Sequence, residues 1–328
     1  MSRKTLRFSL ALAAAAFVSV IALLPAGAQE RDETPTPAPS KTPTAAPTLL
    51  AATQTPQAET IFEPLTQADL NILTGNVQRP NGIAWFNDKL YTACTGDSTL
   101  YEINDTTGAT VTYIWGVRNA HSLHVEMGEN NVLNLWVPDY QSNSLQHITR
   151  GSNETVVRGF AGPWGIVDVD QEYFLISNLL GGTVERVTRD GERETVITDL
   201  SSPTGIVRDG DFVYVANNGS SRRAIEWYPL DDTAEASAQP LVSGLQSTTG
   251  LQLAADGNLY FAYSLGTRGV VGRVDPAACR ANGGCTNTEV EIVLYTELAA
   301  PLAGLTVTPD MRLFVHTMFS PDIYWVGL

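Results

Sequence analysis

Pro203-Thr204-Gly205-Ile206-Val207-Arg208-Asp209-Gly210-Asp211-Phe212-Val213-Tyr214-Val215-Ala216-Asn217-Asn218-Gly219 sets the pattern for most of this 328-residue chain. A Pro-x-Gly corner opens a β-branched run, Asp-Gly turns it, an alternating apolar run returns, and Asn-Asn-Gly closes it, which reads as two paired strands. The corner recurs at Pro80-Asn81-Gly82-Ile83, Pro163-Trp164-Gly165-Ile166, Thr248-Thr249-Gly250-Leu251 and Leu302-Ala303-Gly304-Leu305, with a degenerate copy at His121-Ser122-Leu123. Central residues of successive copies are 40, 43, 40, 45 and 54 positions apart. A period of that length made of several short strands predicts an all-β fold, a six-bladed β-propeller with four-stranded blades.

Outside the repeats the sequence divides cleanly. Residues 1–28 read as an export signal: Arg3, Lys4 and Arg7 precede an apolar stretch from Phe8 to Leu24, and Ala26-Gly27-Ala28 supplies a cleavage site. An uncleaved anchor is the alternative reading of the same stretch. Residues 29–60, rich in Thr, Pro and Ala, offer no apolar periodicity and read as a disordered spacer. The propeller is assigned to 61–328. Its last repeat stops at a third strand, Ile323-Tyr324-Trp325-Val326, while Leu70-Asn71-Ile72-Leu73 stands unassigned ahead of the first blade. This N-terminal strand is expected to complete the sixth blade and close the ring.

Charge and cysteines bound the setting. Three of the 20 Lys and Arg lie in the signal and all 35 Asp and Glu lie beyond it, so the remainder is more acidic than the net −15 of the whole chain. That balance argues against nucleic acid and anionic membranes as partners. Cys279 and Cys285 flank a short loop in an insertion of the fifth repeat and read as a disulfide, whereas Cys94 reads as a buried free thiol. Together these features predict a monomeric protein, secreted, periplasmic or at the cell surface, with no integral membrane domain once the signal is cleaved.

The Pro-x-Gly-Ile corner followed by an apolar run and Asn resembles the repeat of NHL-type propellers. That broad group includes the gluconolactonase and senescence-marker-protein family, strictosidine-synthase-like proteins and streptogramin lyases. The lactonase resemblance implies a divalent cation, calcium or magnesium, at the channel mouth, held by Glu, Asn and Asp side chains. Asn81, followed by Gly82, matches the family asparagine; Asp139 is the nearby carboxylate, and no Glu or Asp occupies the other corner positions.

Strand alternation locates that mouth. Residues just before the inner strands (Asn81, His121, Trp164, Thr204, Thr249, Ala303) and just after the second strands (Cys94, Asp139, Asn178, Asn217, Tyr263, Thr317) fall at one end of the channel. His121 with Asp139 would make a carboxylate-oriented general base. Trp164, with Tyr140 and Tyr263 close to it, would stack on a ligand while Asn81, Asn178 and Asn217 hydrogen-bond it. Each feature also has a plainer reading: Asx residues close turns by bonding backbone, and Trp164 can plug the channel. The sequence therefore predicts binding of a small molecule, glycan or protein at the mouth, with a lactonase-like hydrolase or a lyase as the alternative.

Overall fold

The computed structural model describes residues 63–231 and 237–328; the expected signal and spacer lie outside the described residues. Six sheets form the blades, each with four antiparallel strands at its heart. From the axis outward, blade one comprises Pro80–Phe86, Lys89–Cys94, Thr99–Asn104 and Thr110–Trp115. Blade two comprises His124–Met127, Leu133–Asp139, Ser144–Thr149 and Ser152–Arg158, and blade three Pro163–Val169, Tyr173–Asn178, Thr183–Thr188 and Arg193–Ile197. Blade four is built from Pro203–Asp209, Phe212–Asn217, Ile225–Pro229 and Gln239–Ser243, and blade five from Leu251–Leu253, Leu259–Leu265, Arg268–Val274 and Glu291–Ala299. Blade six takes Gly304–Val307, Arg312–His316 and Ile323–Gly327 from the C-terminal end of the chain and Asn71–Thr74 from the N-terminal side, with Asn71 opposite Trp325.

Packing at the axis explains the repeated corner. A Cβ on Gly165 would lie 2.4 Å from the Thr204 carbonyl of the next blade, and one on Gly205 would lie 2.5 Å from that of Thr249. On Gly304 it would meet the Asn81 carbonyl at 3.1 Å, so the contact recurs across the seam where the ring closes. Only glycine lets successive inner strands approach so closely. The pairing register shifts between the proline and the residues that follow at Pro80, Pro163 and Pro203, where the proline has no N–H to give to a ladder.

The apolar second strands are buried on both faces, and each face belongs to a different core. Phe174 and Ile176 pack with Trp136 and Leu145 of blade two, while Leu175 between them packs with Val213 and Val215 of blade four. Equivalent clusters fill all six blade boundaries, including the seam, where Ile83 and Leu90 meet Phe314 and Ile323. Burial of alternate residues on opposite faces is what a strand between two layers requires.

Several details depart from the repeat. Leu65–Thr66 adds a short parallel strand outside blade five, and Cys285–Thr286 does the same outside blade four. The latter follows a helix, Pro276–Ala281, capped by the Asp275 side chain. The Cys279–Cys285 disulfide is formed, with Cα atoms 5.0 Å apart, and Cys94 is a buried free thiol in the seam. Blade two's inner strand begins at His124, so His121 and Ser122 precede it in a bend. No helix among the described residues is long and apolar enough to cross a membrane.

Candidate functional site

Inner strands start at one end of the channel and second strands return to it; this end is the mouth. On its blade-two side the His121 ring stacks on Trp164, centroids 3.3 Å apart and planes within 10°, and Tyr140 meets both rings edge-on at 5.5 and 6.1 Å. Leu180 continues this surface: Gly162, in a left-handed conformation, sits where a Cβ would touch both Leu180 and Tyr140 at 2.9 Å. The result is an aromatic lip with Trp164 and Tyr140 half-buried and Leu180 exposed.

Behind the lip lies neutral polar chemistry. Asn81 is buried and donates from Nδ2 to Asn119 Oδ1 at 2.6 Å, and its Nδ2 is 3.4 Å from His121 Nε2. Asn81 Oδ1, His121 Nδ1 and Asn178 Oδ1 are buried without a hydrogen-bond partner. Burial pushes the His121 imidazole down to about 3, and the same cause takes His316, across the seam, to about 4. Both rings are therefore neutral at physiological pH. His316 is fully enclosed and neither of its nitrogens is bonded.

The residues predicted to act together are only partly brought together. Asn81, His121 and Trp164 converge as the ring positions require. Asp139 is fully buried, but its Oδ2 accepts from the amides of Arg118 at 2.6 Å and Asn119 at 3.4 Å, and its Oδ1 from the Ser142 amide at 2.9 Å. No hydrogen bond joins it to His121; the carboxylate closes the crossover into blade two instead. Asn217 is likewise consumed, accepting from the Ser201 amide and donating to the Arg223 carbonyl and Glu226. Asn178 donates to Thr183 and Glu185 and keeps its oxygen free of partners. Tyr263 is placed differently from the prediction: blade five's second strand runs on to Leu265, so Tyr263 falls within it, buried with Phe261 and Val270, and burial raises its hydroxyl to about 12. Tyr140 stands beside Trp164 as expected, in the turn after blade two's second strand, and Asn119 completes the mouth from the crossover into blade two, which carries no periodic signal.

Below the mouth the channel encloses a cavity of about 260 Å³ that His121 and Trp164 line from above and His124, Val167, Val207 and Gln252 from further along. On its blade-two wall His124 Nε2 stands 3.4 Å from Glu126 Oε2. Glu126 also accepts from Trp136 Nε1 at 2.7 Å and from both terminal nitrogens of Arg189, which reaches Asp168 at 2.5 Å as well. Burial alone would raise Glu126, but the bonds from His124, Arg189 and Trp136 outweigh it and hold the carboxyl down at about 2. His124, Glu126 and Asp168 place ligand-type atoms within 4.8 Å of one another, a grouping that could hold a metal ion, although the Arg189 guanidinium already supplies positive charge there.

No family model matches the chain, and no curated protein matches it in sequence. Solved structures do match in fold. A calcium-binding regucalcin from Agrobacterium tumefaciens superposes with a TM-score of 0.61 at 13% identity, over 82% of this chain and 96% of that one. A gluconolactonase from Xanthomonas campestris gives 0.60 at 15%, over 79% and 89%. An inactive variant of virginiamycin B lyase from Staphylococcus aureus, with quinupristin, gives 0.53 at 17%, over 76% and 81%. The chain thus has the six-bladed propeller fold of the gluconolactonase and regucalcin type.

Such relatives prompt a test of the mouth as a cation site. A hard cation takes six or more oxygen ligands, with carboxylates prominent among them. At this mouth the carboxylate of Asp139 is committed to three backbone amides, and Asn81 offers one amide oxygen. Asn81 and Asp139 therefore do not fit a divalent ion in this arrangement.

Proposed function

We propose that the protein is an exported, monomeric binding propeller that takes a small molecule, a glycan or the polar tip of a protein partner at its mouth, against Trp164 and Tyr140. One observation carries this reading: Asn81 Oδ1, His121 Nδ1 and Asn178 Oδ1 are buried and unpartnered around one aromatic lip. Buried polar atoms without partners cost roughly 1–3 kcal/mol each, so a ligand or ordered water that bonds them gains accordingly. Export is supported by the basic and apolar N-terminal sequence and the disulfide. Calorimetry with ligands captured from a glycan and metabolite panel tests the site. Affinity should fall at least tenfold in Trp164→Ala and Asn81→Ala; a captured ligand indifferent to both substitutions would place binding elsewhere.

The enzymatic alternative, a lactonase-like hydrolase or a lyase, draws support from a different pair. His124, which lines the channel cavity with its Nε2 3.4 Å from Glu126 Oε2 and otherwise unpartnered, has a carboxylate beside it as a general base would, which His121 lacks. A cation such as calcium or magnesium would in this reading use His124, Glu126 and Asp168 after displacing Arg189. Titration with calcium, magnesium, manganese and zinc separates the sites. Binding lost in Glu126→Gln and kept in Asn81→Ala supports the inner group, and absence of any heat excludes it.

A further inference from the structure

Between blades one and two, on the side away from the mouth, a second cavity of about 440 Å³ is lined by Tyr91, Tyr113, Lys89, Glu102, Arg150 and an apolar rim. Its rim includes Met127 and Val132, each 45% exposed and adjacent at the same opening. Its floor is aromatic: Tyr91 and Tyr113 meet edge-on with centroids 5.8 Å apart, and the Arg150 guanidinium lies 4.6 Å above the Tyr113 ring.

Charge decides what such a cavity takes. Glu102, nearly buried, binds Lys89 through one oxygen and Arg150 through the other at 2.5 Å. Two cations therefore serve one carboxylate, and the lining carries a surplus positive charge in a chain whose net charge is −15. Lysine has three N–H donors and arginine five, so a single carboxylate leaves most of them unused. Both side chains stay accessible, at 43% for Lys89 and 59% for Arg150. The flanking turns contain Asp88 and Glu129, but neither lines the cavity.

We propose that this inter-blade cavity is a second binding site, for a small organic carboxylate with a flat apolar body. The acid group takes the free donors of Arg150 and Lys89, and the body fills the cavity beneath Met127 and Val132, meeting only the small exposed edges of Tyr91 and Tyr113 and stacking on the Arg150 guanidinium plane. Glu102 is the positioning residue, because it holds both cations over the cavity. Methionine at the rim suits a ligand of varied outline.

Naphthalene-2-carboxylate and its neutral amide are suitable probes, titrated calorimetrically into the whole protein. The acid should bind once per chain and the amide at least tenfold more weakly. Arg150→Gln and Lys89→Gln, both at accessible side chains, should each weaken the acid by about tenfold, the equivalent of 1.4 kcal/mol. Trp164→Ala should leave acid binding unchanged, which separates this cavity from the mouth. Equal affinity for acid and amide, no effect of either substitution, loss in Trp164→Ala, or no saturable binding would each overturn the proposal.

Discussion

Away from the mouth, Arg150–Glu102, Arg189–Glu126, Arg208–Asp170 and Arg312–Asp105 each tie one blade to the next, whereas at the mouth no ion pair among the described residues joins two blades. There Asp139 is held by backbone amides, and the side chains of Asn81, Asn178, His121 and His316 keep unbonded atoms. Charged pairing ties the blades together at one end of the ring, where the hydrogen-bonding capacity left over belongs to cations such as Arg150 and Lys89. The other end is held by apolar packing below it and keeps neutral hydrogen-bonding capacity in reserve. A propeller can afford this division because its cores lie between blades, so neither end has to carry the fold alone.

Breaking the stapled end should have the largest effect. Arg312 reaches the Asp105 carboxylate at 2.7 Å and its carbonyl at 2.9 Å, and Asp105 is only 2% exposed. Arg312→Ala removes the only cation paired with that buried carboxylate among the described residues, leaving it the Trp85 Nε1–H and the Thr106 hydroxyl, and is expected to cost about 3 kcal/mol, measured by urea unfolding. Acid sharpens the comparison, since the two ends titrate in different windows. His316 and His121 have lowered folded values, so their unfolded forms bind protons first and stability is lost as pH falls from 6.5 toward about 4. From pH 7 to 5 His316 alone should account for about 2 kcal/mol, and His316→Asn should flatten that slope. The Glu126 contribution, by contrast, should disappear only below pH 4.5, as the pH falls toward its folded value of about 2.

Smaller changes are expected at the mouth itself. Asn81→Ala loses one bond to Asn119 but also removes an unpartnered oxygen, so stability should move by less than about 1 kcal/mol while ligand binding is lost. Smallest of all is Asp170→Asn: Asp170 is exposed and asparagine keeps its left-handed turn (φ 51°), so loss of the pair with the partly buried Arg208 should not shift the urea midpoint. A midpoint shift there as large as that of Arg312→Ala would show that pairing, not burial of the paired carboxylate, sets the difference between the ends.

The ring was legible in the sequence because glycines at Gly82, Gly165, Gly205 and Gly304 answer one recurring geometric demand, the close approach of neighbouring blades at the axis. Closure by Asn71–Thr74 followed from counting strands. The ring positions at the mouth were legible too, but what their side chains bond was not. Asp139 and Asn217 turn to local backbone, a choice decided by crossover conformation rather than by residue type. Tyr263 shifted because blade five's second strand is longer, which the apolar run could not reveal. Tyr140 was legible beside Trp164, whereas Asn119 lies in a crossover without period. One signal was present in the sequence: His124 and Glu126, two apart on an inner strand, share a face.

Leu65–Thr66 and Asn71–Thr74 are edge strands of blades five and six, and Leu328 follows the neighbouring strand of blade six, its N–H bonding the Met311 carbonyl at the turn away from the mouth. A circle has no natural beginning, and this cut makes one blade a splice: Asn71–Thr74 and Ile323–Gly327, about 250 positions apart in the chain, lie side by side, so the last blade cannot form until the first strand has been laid down.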